Sequence, residues 1–438
     1  MTSPNGLICF TNCLIPLEDG SLVKKDLWID ERRGVVLDSQ HTFYHRKERP
    51  QRMIDLGGNI ISPGFLDIQI NGAYGFDFSV YEGDDEAYRR GMRTVSENIV
   101  ETGVTSLVPT VITQERSLYP ILLNLLRPFH SSNGATLLGW HAEGPFLHMA
   151  KRGAHAPPFL LTAPKGVSTF EDVYGVPNIS HTEDWLMDGG VGVRIITGAP
   201  EIEGVMDAIK DLTARGIVFS IGHSIATTDI ATAAVRRGAR LITHLFNAMP
   251  QLHHRDPSII GLLDMTFERP FYEMIVDGIH SHPNSVRLAY NVFPEGCILI
   301  TDAMKILDPH LRDGVHEWRD GKRFVKEGDR LYLEGTDTLA GRQAQVIVSR
   351  SFITAAYPHV RSVVTLDKCV RNFARFTGCS LGEALKCVTL NPARCLGIEN
   401  KKGTLRPGAD ADLVVLDRMG NVLSTWVGGR EVWARSSD

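Results

Sequence analysis

GWHAEGPFLHMAKRGAHA, residues 139–156, is the stretch that decides the fold. An apolar run, residues 136–140, leads into His141, Glu143 and a Gly-Pro pair. An apolar run that ends abruptly in polar residues and a turn is typical of a buried strand that delivers side chains to a rim. We therefore predict that Glu143 is a functional residue. Its predicted partners also end apolar runs: His223, His244 and Asp302.

Short apolar runs alternate with helical patterns through the whole middle of the chain. The candidate strands are residues 65–70, 104–110, 136–143, 191–200, 216–223, 239–244, 272–278 and 297–302. Helical patterns between them include residues 85–101, 204–215 and 227–237. Eight β-α units in a row predict an α/β fold, a TIM-like (β/α)8 barrel. Active sites of such barrels lie at the carboxyl ends of the strands. The polar residues at those ends are Gln69, Thr110, Glu143, His223, His244, Asp277 and Asp302.

The two ends of the chain differ from this middle. Residues 1–62 are short apolar runs broken by turn residues, and residues 403–438 have the same texture. Such runs predict small antiparallel strands. We therefore predict a small β-sandwich domain formed from both chain ends, with residues 1–62 and 403–438 as its two parts. The barrel would then occupy residues 63–402.

The composition predicts a globular protein of the cytoplasm. The 438 residues are 43% hydrophobic and 22% charged, which is ample for a large core. The net charge of −5, without a basic block, gives no reason to expect binding to nucleic acid or a membrane. The seven cysteines form no Cys-x-x-Cys pair, which fits reduced thiols, and no apolar run reaches membrane-spanning length.

His223 and His244 are candidate metal ligands. Either histidine alone could equally be a buried core residue, since histidine is often buried. Glu143 in the equivalent place on a third strand shifts the balance towards a metal site. Two neutral imidazoles and one carboxylate form a three-ligand set that leaves a position for water on a catalytic ion such as Zn²⁺.

Asp302 ends the last predicted strand. Asp is a good helix N-cap, so a capping role is one alternative. The other is a general base beside a metal-activated water. A carboxylate there can take the proton of the water and later return it to a leaving amine.

Ten motifs, spread over nearly the whole chain, carry a resemblance to a known family. They are PGFLDIQINGAYGFDFS (63–79), HAEGPF (141–146), KRGAH (151–155), GHS (222–224), THLFNAM (243–249), HHRDP (253–257), DGIH (277–280), TDAM (301–304), TLAG (338–341) and GTLRPGADADLVVLD (403–417). In this order they resemble the N-acetylglucosamine-6-phosphate deacetylase family of the amidohydrolase superfamily. The resemblance implies hydrolysis of the acetamide of N-acetyl-D-glucosamine 6-phosphate to D-glucosamine 6-phosphate and acetate, in amino sugar catabolism.

The resemblance also implies how many metal ions are bound. Many superfamily members carry His-x-His after the first strand and bind two ions, whereas this chain has Asp67, Ile68 and Gln69 there. The departure matches the deacetylases and implies one divalent ion per subunit, with zinc expected and iron, cobalt or manganese as alternatives. The implied ligands are Glu143, His223 and His244, and the implied acid/base is Asp302.

The substrate contacts rest on the resemblance alone. His155 would hydrogen-bond the acetamide carbonyl and stabilise the developing oxyanion. Arg255 and His280 would hold the phosphate, a role that suits the guanidinium of Arg. Phosphate contacts in the family come partly from the neighbouring subunit, which implies a homodimer with shared sites. The other predicted substrate-binding residues are Ala154, Asn247, Ala248, Asp277, Gly278, Ile279, Leu339, Ala340 and Gly341.

One segment departs from the family pattern. Residues 342–361 follow TLAG directly, and their removal would restore LAGSVVTLDKCVRN. They are either a lineage-specific loop or untranslated material such as a retained intron. Two alternative functions therefore stay open. One is another single-metal amidohydrolase that acts on a different N-acyl or cyclic amide substrate, and the other is a catalytically impaired scaffold.

Overall fold

The computed structural model of the chain describes residues 3–180, 192–317, 323–328, 330–333 and 362–436. The predicted substrate residues Leu339, Ala340 and Gly341 and the atypical segment 342–361 lie outside the described residues.

The N-terminal part is made of short strands. In chain order β1 to β7 are Leu7–Thr11, Leu14–Pro16, Leu22–Lys24, Leu27–Asp30, Val35–Leu37, Arg52–Asp55 and Ile60–Pro63. Strands β5, β4, β1 and β6 form a four-stranded sheet in that order. The predicted short strands are confirmed, but their pairing is not antiparallel throughout as predicted. β1 pairs with β6, and β2 with β7, in parallel, because the strands between them let the chain return in the same direction.

The middle of the chain forms the barrel. Its eight parallel strands are β8 (Phe65–Ile70), β11 (Val104–Ile112), β13 (Trp140–Glu143), β14 (Val193–Gly198), β15 (Val218–Ile221), β16 (Leu241–Ile242), β17 (Phe271–Ile275) and β18 (Cys297–Ile300). Three two-residue strands accompany them: β9 (Gly72–Ala73), β10 (Phe76–Asp77) and β12 (Thr136–Leu137). Between β18 and β8, the backbone N–H of Asp302 donates to the Gln69 carbonyl at 2.9 Å. The predicted barrel is confirmed.

The barrel strands are buried along nearly their whole length, as expected of parallel strands that are covered on both faces. Helices on the outside cover them, and α2 shows how the sequence specifies one. Its N-cap, Asp84, accepts hydrogen bonds from the N–H groups of Glu86 and Ala87, and its buried face repeats at helical spacing. The described helices α1 to α10 are Ser39–Tyr44, Asp85–Asn98, Tyr119–Leu125, Val167–Tyr174, Val205–Ala214, Thr228–Arg236, Pro283–Val292, Leu366–Thr377, Leu381–Lys386 and Leu390–Leu396.

Several barrel strands are shorter than predicted, for reasons that can be seen in the backbone. The predicted strand 136–143 is interrupted at Gly139, whose φ is 111°, so that β12 and β13 are separate. β15 and β16 end two residues before His223 and His244. Both histidines have positive φ and so leave the extended conformation.

The C-terminal part returns to the small domain. The strands β22 (Leu413–Leu416), β23 (Val422–Val427) and β24 (Arg430–Ala434) extend a six-stranded sheet of order β24-β23-β22-β7-β2-β3. The link between the two chain ends is the antiparallel pair β7 and β22. Phe10 from one end packs edge-on against Trp426 from the other, with ring centroids 5.1 Å apart. A small sandwich domain built from both ends is therefore confirmed, whereas its boundaries at residues 62 and 403 stay a prediction.

A three-stranded antiparallel sheet follows the barrel and was not predicted. It consists of β19 (Gly314–Glu317), β20 (Arg323–Glu327) and β21 (Arg330–Leu333). Among the described residues, no helix has the length and apolar character needed to cross a membrane.

Candidate active site

Glu143, His223 and His244 meet at the carboxyl-terminal mouth of the barrel. Glu143 is the last residue of β13, and each histidine lies two residues beyond its strand. The Nε2 atoms of His223 and His244 lie 3.0 and 3.2 Å from Oε1 of Glu143 and 3.1 Å from each other. All three residues are buried, and they form the one group in the described part of the chain with metal-ligand geometry. The structure thus brings the three predicted ligands together.

This set of donor atoms fits one divalent ion. Bonds of about 2.0–2.1 Å at tetrahedral angles place neighbouring ligand atoms roughly 3.3 Å apart, close to the separations observed here. Nδ1 of His223 lies 2.7 Å from the carbonyl oxygen of Lys151, to which it must donate. The lone pair of His223 is therefore on Nε2, where a metal would bind.

The charge of the set is also suited to a cation. Burial alone would raise the pKa of Glu143, but the rings of His223 and His244, whose Nε2 atoms lie within hydrogen-bond distance of Oε1, hold it well below its ordinary value. The side-chain amide of Gln69 donates a hydrogen bond to Oε1, at 3.1 Å. Glu143 is therefore an ionised carboxylate held in one orientation.

Two of these predicted ligands, together with Asp302, have strained backbone conformations. His223, His244 and Asp302 have φ values of 50°, 30° and 45°. For residues other than glycine this left-handed conformation costs on the order of 1–3 kcal/mol each and persists only where the surrounding structure imposes it. The barrel thus turns the backbone sharply at three strand ends and directs three functional side chains to one place.

Asp302 is held beside this group by the first strand of the barrel. The side-chain amide of Asn71 donates to its Oδ1 at 2.7 Å, and the Asp302 N–H donates to the Gln69 carbonyl. In the described residues 301–317 no helix begins after Asp302, so the side chain is not an N-cap. The structure thus speaks against the capping alternative, and the general-base role stays a prediction.

His155 lies on the other side of Glu143. Its ring is only 3% exposed, and its Nε2 lies 3.8 Å from Oε2 of Glu143. Its ring centroid is 4.6 Å from that of His223. The predicted neighbour Ala154 is exposed beside it. The Nε2 edge of His155 therefore faces the carboxylate of Glu143, and its contact with a substrate carbonyl stays a prediction.

The remaining predicted substrate residues lie on the turns after β16 and β17. Asn247 and Ala248 follow His244 directly, and the Asn247 N–H donates to the His244 carbonyl at 2.9 Å. After β17, Asp277 accepts from the N–H groups of Ile279 and His280, both at 2.8 Å, and from Nδ1 of His280 at 2.6 Å.

The Asp277 turn is held by hydrogen bonds and charge, whereas Arg255 has no ion pair with any residue that the structure describes. Burial would raise the pKa of Asp277, but the charge and hydrogen bonds of His280 hold it below its ordinary value. Gly278 is exposed at the tip of the turn. Arg255 is exposed on the loop after β16, where its N–H donates to Nδ1 of His253 at 3.3 Å.

Comparison with known proteins identifies the family. The amidohydrolase family model matches residues 60–432, most of the chain. The chain belongs to the amidohydrolase family.

The similar proteins within this family share one name. It is 39% identical over 436 residues to the N-acetylglucosamine-6-phosphate deacetylase of Caenorhabditis elegans, covering 98% of this chain and 95% of the relative. It is 40% identical over 436 residues to the Homo sapiens protein of that name, with coverages of 97% and 95%. A solved complex of a mutant Mycobacterium smegmatis deacetylase with N-acetyl-D-glucosamine-6-phosphate superposes with a TM-score of 0.72 at 26% identity, covering 99% of this chain and all of that one. The resemblance predicted from the motifs is confirmed.

Three residues near the site have partners that the sequence did not reveal. Gln69, a predicted rim residue without an assigned role, donates a hydrogen bond to Glu143. Asn71, which donates a hydrogen bond to Asp302, is the first residue after β8. Thr113, which contacts His155, directly follows β11. Their positions could have indicated a role, because all three residues lie at or just past the end of a barrel strand.

Proposed function

We propose that this amidohydrolase hydrolyses the acetamide of N-acetyl-D-glucosamine 6-phosphate to D-glucosamine 6-phosphate and acetate, as a step of amino sugar catabolism. One observation carries the proposal. The buried set of Glu143, His223 and His244 lies beside Asp302 in a chain whose relatives of that name match it over nearly its full length.

The set of Glu143, His223 and His244 would hold one divalent ion per subunit. When bound, such an ion polarises a carbonyl and lowers the pKa of a coordinated water towards about 7. Two imidazoles and a carboxylate suit zinc, with iron, cobalt and manganese as alternatives. Gln69 keeps the carboxylate of Glu143 oriented towards the two imidazoles.

Asp302 would move the proton. It takes the proton of the attacking water and returns it to the amine nitrogen as the amide bond breaks. The hydrogen bond from Asn71 to Oδ1 restrains rotation of the carboxylate, so that it stays aimed at the barrel mouth. His155 would donate from Nε2 to the carbonyl oxygen as negative charge develops there.

The sugar phosphate would be held by residues on loops. Arg255 and His280 are proposed phosphate contacts, and the Asp277 turn supports His280. The other proposed contacts are Ala154, Asn247, Ala248, Gly278 and Ile279, together with Leu339, Ala340 and Gly341. A homodimer in which Arg255 serves the partner's site would account for its exposure in a single chain. The cytoplasmic location stays a prediction.

Comparing substrates tests this function. We expect purified protein to hold about one metal equivalent per chain and to release acetate from N-acetylglucosamine 6-phosphate far faster than from unphosphorylated N-acetylglucosamine. Equal rates on the two sugars would favour a different N-acyl substrate. Protein that takes up no metal on reconstitution and releases no acetate would favour the scaffold.

A further inference from the structure

We propose that Thr113 is a positioning residue for His155, which it holds in the tautomer that presents Nε2–H to the substrate carbonyl. The proposal rests on the deacetylase function proposed above. It concerns the hydrogen bonds behind the ring of His155, on the side away from Glu143.

The tautomer follows from what contacts Nδ1 of His155. The backbone N–H of Thr113 lies 3.2 Å from Nδ1, and the Thr113 hydroxyl lies 2.8 Å from the same atom. A backbone N–H can only donate, so Nδ1 must accept. In a neutral imidazole the other nitrogen then carries the proton. The proton is therefore on Nε2, the atom that lies 3.8 Å from Oε2 of Glu143.

The opposite tautomer would not serve the reaction. It would direct a lone pair from Nε2 towards the carboxylate of Glu143 and towards the substrate oxygen, and no donor would face the developing oxyanion. Removal of one such donor costs about 10²–10³-fold in kcat. A histidine kept in the wrong tautomer can cost about 10⁴-fold in another hydrolase.

The position of Thr113 is fixed by the barrel. It directly follows β11, whose last residue, Ile112, is in register with Glu143 on β13. Thr113 therefore lies against Gly144, where an added Cβ would be only 2.3 Å from the Thr113 hydroxyl. The absence of a side chain at Gly144 makes room for the hydroxyl. The same strand pair thus positions the carboxylate of Glu143 and orients the ring of His155.

Thr113→Val and Thr113→Ser separate the hydroxyl from the bulk of the side chain. Thr113→Val keeps the shape and the backbone N–H but removes one of the two donors to Nδ1. We expect kcat to fall about 10-fold, the low end for lost supporting hydrogen bonds, with KM and metal content unchanged. Thr113→Ser should recover most of kcat. Thr425→Val, which removes a buried hydroxyl bonded to the Val100 carbonyl in the small domain, should leave kcat unchanged.

Nitrogen NMR of protein with ¹⁵N-labelled histidine measures the tautomer directly. The unprotonated ring nitrogen resonates far downfield of the protonated one, and the His155→Gln variant identifies the signals. We expect an Nε2–H form in the zinc-loaded wild type and also in Thr113→Val, because the backbone N–H of residue 113 is kept. The Nδ1 signal of Thr113→Val should move further downfield, because one of the two hydrogen bonds to that atom is lost. An Nδ1–H form in the wild type would overturn the proposal. So would a Thr113→Val protein within two-fold of wild-type kcat, or one that loses metal in step with activity.

The NMR readout also separates this proposal from the function on which it rests. If the wild type shows Nε2–H but does not release acetate from N-acetylglucosamine 6-phosphate, the deacetylase function fails while the Thr113 contact stands. If it releases acetate but shows Nδ1–H, the reverse holds.

Discussion

The candidate site has two halves that are held in different ways. Glu143, His223 and His244 are at most 5% exposed and lie at or within two residues of strand ends, so the barrel itself positions them. The proposed phosphate residues lie on loops, and one of them, Arg255, is exposed. The difference indicates that the chemistry is preorganised by the fold. Recognition of the substrate depends on loops and, we propose, on a second subunit.

Removal of a metal ligand should produce the largest effect, because it breaks the preorganised half. Glu143→Ala, His223→Ala and His244→Ala each remove one of the three proposed protein ligands of the ion, so metal content and turnover should fall together. We expect a loss of activity beyond the ~10²–10⁴-fold typical of a lost acid/base. Elemental analysis and kcat on the phosphorylated sugar measure both effects.

His41→Ala is the matched control, since His41 is exposed in the small domain and should be dispensable for metal and turnover. A ligand variant that kept full metal and full turnover would remove that residue from the site.

Asp302→Asn should separate metal binding from catalysis within the same half. Asn has the same size and can still contact Asn71, so the fold and most of the metal should remain. Proton transfer should fail, which lowers kcat about 10²–10⁴-fold. Asp308→Asn, a change of the same kind six residues further along, should leave kcat unchanged. A kcat for Asp302→Asn within a few-fold of wild type would contradict the acid/base role.

The preorganised half was also the half that the sequence predicted best. A strand end is visible as an apolar run that stops, and parallel barrels gather such ends at one rim, so Glu143, His223, His244 and Asp302 could be grouped without coordinates. The sharp turns at His223 and His244 could not be predicted, because positive φ at a histidine is imposed by tertiary contacts. The same contacts shortened β15 and β16 relative to the apolar runs.

The proposed phosphate residues could be predicted only through the family resemblance. Arg255 follows no periodic pattern, and its loop could serve either its own site or a partner's. The contact between Thr113 and His155 joins residues 42 positions apart through a loop whose path depends on packing. The antiparallel sheet β19–β21 was missed because the eight-unit pattern had already ended.

Variants of the phosphate residues should produce a smaller and more selective effect. Arg255→Ala and His280→Asn each remove a hydrogen bond to a charged group, which contributes about 1.5–3 kcal/mol, or roughly 10–150-fold in KM. The increase should apply to the phosphorylated sugar and not to bare N-acetylglucosamine. Arg237→Ala, at the far end of α6, is the control. An equal change on both sugars would contradict the phosphate role.

Mixing two inactive variants tests whether Arg255 serves the site of the other subunit. If Arg255 serves the partner's site, Arg255→Ala and Asp302→Asn proteins should recover activity when mixed, because the mixed dimer contains one site with neither change. The measurement is turnover after subunit exchange, with each variant incubated alone as the baseline. Absence of recovery despite demonstrated exchange would indicate that each chain holds its own phosphate.

Deletion of residues 342–361 should have the smallest effect on stability. It tests how much change in length the loops of the candidate site tolerate. Where the described chain resumes, Ser362 forms a parallel bridge with Ala303, the residue after Asp302, and its carbonyl accepts from the Met304 N–H at 3.3 Å. This bridge places Ser362, the residue that follows the segment in sequence, next to the proposed acid/base Asp302. The entropic cost of extra length grows only logarithmically, about 0.6 kcal/mol per doubling, so Tm should change little. A misplacement of about 1 Å near the chemistry can cost about 100-fold in rate. We therefore expect the shortened chain to be at least as stable and to have a higher kcat/KM.

Replacement of the segment by twenty Gly and Ser residues separates length from sequence, since only the deletion restores the spacing. A shortened chain that is both less stable and less active would instead make the segment an integrated part of the site.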